Sequence, residues 1–127
     1  MTSAKDGLVV AVIDDDQSVR DAIESLLRSA GYRAKGFASA EAFLRDTPPR
    51  QFSCIVLDIS LPRLSGLELQ RNLLTQRACV PIVFVTATAD PQGEIRRQAL
   101  QSGAVAFLSK PFDEIALLDA VKAAVTP

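Results

Sequence analysis

Leu8-Val9-Val10-Ala11-Val12-Ile13 is an unbroken apolar run, largely β-branched, and it leads straight into Asp14-Asp15-Asp16. A strand wetted on one side alternates apolar and polar residues. A run that is apolar at every position predicts a strand covered on both faces, as in a parallel sheet flanked by helices. Two further runs read the same way: Phe52-Ser53-Cys54-Ile55-Val56-Leu57, closed by Asp58, and Ile82-Val83-Phe84-Val85, opened by Pro81 and closed by Thr86. Ala104 to Leu108 is a last strand, ending at Lys110-Pro111. Tyr32 to Phe37 is weaker; Arg33 and Lys35 alternate outward in it, which suits a charged sheet edge.

Helical patterns fill the intervals. Val19, Ile23, Leu26, Leu27 and Ala30 recur at helical spacing, with Asp16 as cap and Gly31 as stop. A short helix starts at Ser39 with Glu41 in its first turn, and Pro48-Pro49 ends that region. Ser65 and Glu68 form a Ser-x-x-Glu capping box opening a helix that carries Leu69, Leu73 and Leu74. Asp90-Pro91 reads as an N-cap with proline at the first helical position, in a helix stopping near Gly103. Asp113 caps a final helix with Ile115, Leu118, Val121 and Val125 on one face. Strand and helix thus alternate five times. The expected class is α/β, a doubly wound (βα)5 sandwich on a five-stranded parallel sheet, because right-handed crossovers and short loops leave little else.

The 127 residues allow one domain, expected over 1–127 with an ordered core from about 8 to 125. Lys and Arg total 14 against 15 Asp and Glu, which argues against nucleic-acid binding by this domain alone, since that rests on clustered cations facing phosphates. Histidine is absent. That removes Ser-His-Asp and Cys-His nucleophiles and His-ligated zinc, and confines chemistry to carboxylates, hydroxyls, lysine and hard cations. Cys54 and Cys79 form no CxxC and read as buried free thiols of a reducing compartment. The polar start Met1-Thr2-Ser3-Ala4-Lys5-Asp6-Gly7 lacks a signal-peptide core, and no apolar stretch approaches the ~20 residues of a membrane span. A cytoplasmic protein without membrane contact is expected.

In an open parallel sheet, ligands bind beyond the carboxyl ends of the strands. Those ends carry Asp14-Asp15-Asp16, Asp58, Thr86 and Lys110. Asp16 suffices as a cap, and a strand-end Thr or a loop Lys is ordinarily structural or solvated. Asp14, Asp15 and Asp58 together would repel unless a cation lay between them. Oxygen-only donors suit Mg²⁺ more than Ca²⁺, whose loop spacing is missing. A carboxylate nucleophile, Mg²⁺, a hydroxyl and a lysine are the parts for phosphoryl transfer to aspartate.

With these residues in this order, the chain resembles the receiver domains of two-component response regulators from Leu8 to about Val125. The motifs are the acidic pair Asp14-Asp15, Asp58 with Pro62 and Gly66 beyond it, Thr86-Ala87, and Lys110-Pro111-Phe112. The resemblance implies the flavodoxin-like strand order 2-1-3-4-5. It makes Asp58 the phosphoacceptor of a sensor histidine kinase or phosphotransfer protein. Asp15, Asp58 and the Ser60 backbone carbonyl become ligands of Mg²⁺ (with Mn²⁺ as a substitute), and Asp14 acts through water. Lys110 and Thr86 contact the phosphoryl group, the Lys110–Pro111 bond is cis, and Phe107 takes the place of the switch aromatic. Phosphorylation would remodel the face of the fourth helix, fifth strand and fifth helix, where an output, a partner or a second receiver docks.

Such a domain catalyses its own phosphorylation and dephosphorylation without being a turnover enzyme. Leu61 departs from the Met usual before Pro62, and Ser60 and Thr88 stand where the family tunes phosphoryl lifetime. The chain ends at Pro127 without an output domain, leaving a stand-alone receiver and one excised from a longer, commonly transcriptional, regulator both open. Three other readings stay beside this one: a small aspartyl-phosphate phosphatase, a flavodoxin-like cofactor binder, and a receiver-shaped scaffold that signals without phosphorylation. The phosphatase would want an Asp where Ser60 stands.

Overall fold

The computed structural model describes residues 8–46 and 48–126. The polar start and Thr47 lie outside them. Five strands, β1 (Val9–Ile13), β2 (Arg33–Phe37), β3 (Cys54–Leu57), β4 (Ile82–Thr86) and β5 (Ala106–Ser109), form one parallel sheet in the order β2-β1-β3-β4-β5. The helices are α1 (Gln17–Ser29), α2 (Ala40–Asp46), α3 (Gly66–Thr75), α4 (Glu94–Gln101) and α5 (Glu114–Val125), with a short 3-10 turn at Pro49–Gln51.

Side chains on a strand point alternately to the two faces, so the continuous apolar runs divide into two cores. Ala11, Ile13, Ile55, Leu57 and Phe84 face the layer of α2, α3 and α4, whose Phe43, Leu69 and Leu73 meet them. Val10, Val12, Val56, Val83 and Val85 face α1 and α5, which bring Ile23, Leu27, Leu117 and Val121. Phe37, Phe43 and Phe52 pack together in the first layer with centroids 5.4 to 5.8 Å apart, Phe37 edge-on to the other two and Phe43 tilted against Phe52. β2 is one of the two edge strands, and its Arg33 and Lys35 are exposed as their alternation requires. Among the described residues no helix is long and apolar enough to cross a membrane.

Four local expectations shift. α4 starts at Glu94, not beside Pro91: Gly93, at φ 71°, occupies the N-cap, and Asp90 caps from a turn farther back, accepting the Ile95 and Arg96 N–H at 3.1 and 3.0 Å. Those bonds, that to Arg96 first, hold the Asp90 carboxyl below its usual range. Leu74 is 54% exposed and Ile115 68% exposed. The α5 face that enters the core is Leu117, Ala120 and Val121. Cys54 is buried as expected, whereas Cys79 is exposed.

Candidate functional site

The order β2-β1-β3 means that the chain, after β2, crosses back over β1 to lay down β3; the switch point lies between β1 and β3. Ile13 pairs with Leu57, so the next residues, Asp14 and Asp58, emerge side by side at the carboxyl rim. Asp58 N–H donates to the Ile13 carbonyl at 3.0 Å, which fixes that adjacency. Asp14 and Asp58 are 2% and 6% exposed, while Asp15 is open to solvent. One carboxylate oxygen from each of the three lies within 4.8 Å of the others.

Lys110 reaches this cluster from the end of β5. Its Nζ donates to Asp14 Oδ2 at 2.7 Å and to Asp58 Oδ2 at 3.2 Å. Burial pulls the ammonium down, but its hydrogen bond to Asp14 and the charges of Asp58 and Asp14 outweigh it, leaving Lys110 above its ordinary value. One ammonium therefore faces three carboxylates. Asp14 Oδ1 also accepts the Asp16 N–H at 2.9 Å. Asp58 Oδ1 accepts the Ser60 N–H at 3.2 Å. Asp15 makes no side-chain hydrogen bond or ion pair among the described residues. Asp16 serves as the α1 cap, taking the Ser18 and Val19 N–H at 2.9 and 3.4 Å. The Ser18 hydroxyl, then those N–H groups, lower its pKa.

The donor chemistry fits a hard divalent cation. All candidate ligands are oxygens, Asp15 lacks a protein partner, and the Ser60 carbonyl accepts no hydrogen bond among the described residues.

Thr86 is buried at the end of β4. Its hydroxyl donates to Thr88 Oγ1 at 2.9 Å and accepts the Thr88 N–H at 3.1 Å, and Thr88 Oγ1 in turn shares a short hydrogen bond with Ser60 Oγ. Phe107, on β5, is half-buried with its ring against Phe84 at 6.1 Å. The Lys110–Pro111 peptide is cis. Gly66 has a steric reason: a Cβ there would lie 2.3 Å from the Asp58 carbonyl oxygen, so a side chain at this position would displace the strand end carrying Asp58. Two residues had no sequence signal for a part here. Arg20 donates to the Asp14 carbonyl at 2.7 Å, and Glu41 binds the loop after Asp58.

A family model of the response regulator receiver domain matches residues 10–122. The chain belongs to this family. Nodulation protein W of Bradyrhizobium diazoefficiens is 44% identical over 123 residues, which take in 97% of this chain and 53% of that protein. Transcriptional regulatory protein FixJ of the same organism is 37% identical over 116 residues, 91% of this chain and 56% of FixJ. The solved structure of the response regulator StyR is similar with a TM-score of 0.85 at 44% identity, covering 94% of this chain and 59% of that one. This receiver domain spans about half the length of the curated relatives it matches. Its pocket of Asp14, Asp15 and Asp58 fits the phosphorylation site of such a domain, and the phosphatase and scaffold readings are not favoured.

Proposed function

We propose that Asp58 is the phosphoacceptor and that residues 1–127 act as a single receiver unit in a phosphorelay. The donor would be a phosphohistidine on a sensor kinase or phosphotransfer protein: an Asp58 oxygen attacks phosphorus, the P–N bond breaks with its electron pair going to nitrogen, and the imidazole leaves neutral, keeping the proton its other nitrogen carried in the phosphohistidine. Asp15, Asp58 and the Ser60 carbonyl would hold Mg²⁺, with Asp14 acting through water. When bound, that ion neutralises charge gathering on the phosphoryl oxygens. Lys110, charged and placed between Asp14 and Asp58, would turn one of its N–H bonds to a phosphoryl oxygen. The Thr86 hydroxyl would exchange Thr88 for the phosphoryl group, vacating space that lets the Phe107 ring shift against Phe84. That movement would reshape the face of α4, β5 and α5, regulating an output, by analogy with FixJ a transcriptional one, or pairing two receivers.

The observation that carries this reading is the Lys110 ammonium held between two buried carboxylates at the β1–β3 switch point, beside an Asp15 that has no partner among the described residues. Its test is incubation with acetyl phosphate and MgCl₂, followed by intact-mass measurement. Wild type gains one phosphoryl group; Asp58→Asn gains none, and chelation with EDTA abolishes the reaction. An adduct on Asp58→Asn, or equal labelling without divalent cation, would defeat the proposal.

A further inference from the structure

The loop from Asp58 to Ser65 must turn the chain from β3 into α3 while keeping Ser60 over the site. Inside the loop, Gly66 and Leu61 N–H both donate to the Ile59 carbonyl at 3.0 Å, and Leu61 is buried. The next stretch is looser. Pro62 and Arg63 are exposed, and Arg63 holds φ 63°, a conformation that costs a residue with a Cβ. At that point another element intervenes. Glu41 Oε2, from α2, accepts the Leu64 N–H at 3.1 Å and lies 3.5 Å from Arg63 Nε.

Glu41 differs in two ways from an ordinary first-turn glutamate. Its Oε1 is buried without a hydrogen-bond partner among the described residues, a cost that calls for a reason. It is also the one described side chain outside the loop and α3 that hydrogen-bonds the loop's backbone. Its helix is a fixed post, because Ala40 and Phe43 are wholly buried in the α2–α4 core. The following N–H, that of Ser65, sits on Glu68 Oε1 at 3.2 Å, so two glutamates grip successive amides and leave residues 60–63 as a taut arch.

We infer that Glu41 is a positioning residue for cation binding: by holding the Leu64 amide it fixes the arch, and with it the Ser60 carbonyl relative to Asp58. It touches no ion. The inference rests on the proposed ligand set of Asp15, Asp58 and the Ser60 carbonyl. Two rival accounts make different demands, for a carboxylate could act through its charge alone, or merely help the fold.

The experiment compares wild type with Glu41→Gln, Glu41→Asp and Glu41→Ala in calorimetric titration with MgCl₂ and in amide hydrogen exchange at Leu64. Gln keeps the reach and an acceptor but not the charge; Asp keeps the charge and loses the reach. Magnesium Kd rises about tenfold in Asp and Ala and stays within about twofold in Gln, the lower range for groups that support a metal ligand. Leu64 exchange accelerates in Asp and Ala and stays protected in Gln. If Gln weakens as much as Ala while Asp binds normally, charge is the agent and the inference is wrong. Unchanged affinity in Asp and Ala with Leu64 deprotected overturns it equally, since the arch then does not set the site. Should Ala fail to fold, the Gln–Asp pair decides. A wild type that binds no magnesium overturns the ligand set itself, and this inference with it.

Discussion

Cys54 opens β3 and Asp58 directly follows its last residue, so one short strand has a buried ionisable group at each end. At the amino end the surroundings are apolar, and burial pushes the Cys54 thiol up to about 12. Nearby Tyr32 is raised by the same burial. A shallow groove of about 320 Å³ at that end is lined by Leu73, Leu74, Ala78, Cys79 and Val105 among others, and it gathers no charge. At the carboxyl end burial likewise disfavours the charged form and pulls Lys110 down, yet two carboxylates reverse it. Burial alone therefore does not decide whether a group ionises; the partners delivered to it do. In this fold the partners all come from residues just past the strand ends, at the carboxyl rim.

Stability above neutral pH separates the two ends. The Cys54 thiol stays protonated in the folded chain and ionises in the unfolded one above its ordinary value of 9.0, so unfolding releases a proton and stability falls as pH rises. The slope reaches about 1.4 kcal/mol per pH unit, and the loss by pH 12 is about 4 kcal/mol. Tyr32 adds to the loss only above 10.0, so the interval from 9 to 10 belongs to Cys54. Urea unfolding of wild type and Cys54→Ala across that interval is the measurement. Parallel curves would mean that water reaches the thiol and that the amino end is not the dry region described.

The opposite end is broken by removing its cation. Lys110→Met leaves Asp14 and Asp58 facing each other without compensation. The expected loss is about 2 kcal/mol at pH 7 in EDTA, below the cost of cutting a fully buried pair because the ammonium is partly wet. Urea midpoints at constant slope read it. For the wild-type lysine the sign at high pH is a loss too: its folded value is raised, so its contribution is whole below the ordinary 10.5 and fades as pH passes the folded value. An unchanged Lys110→Met midpoint would show that the carboxylates do not need this partner.

The same contrast explains what could be read from sequence. Fully apolar runs mark β1, β3 and β4 because both faces are covered, and the residue after each run falls on the rim by geometry alone. Asp14, Asp58 and Thr86 were therefore legible as neighbours, as was Lys110 once β5 was placed. Helix faces were legible to one position only: Leu73 is buried and Leu74 is not, since a 100° step separates residues that hydropathy treats alike. The α4 start differs from the local pattern because Asp90 caps across an intervening turn, with Gly93 N–H on the Asp90 carbonyl, where the local rule expects direct contact. The bond between Glu41 and Leu64 spans 23 residues and two elements, and no local pattern announces such a contact.

The smallest effect carries a change of sign. Asp15 is exposed and adds like charge to a cluster that has one ammonium, so Asp15→Asn raises stability in EDTA, by about 0.5 kcal/mol. In MgCl₂ the order should reverse. At about ten times the wild-type Kd, bound ion stabilises wild type by about 1.4 kcal/mol, and the variant, short of one proposed ligand, gains less. Chemical unfolding of both proteins with and without MgCl₂ tests the crossing. A variant less stable in both conditions would make Asp15 a structural residue. One more stable in both would leave the rim an unrelieved cluster of like charge, and the distinction between the two ends of β3 would lose its functional meaning.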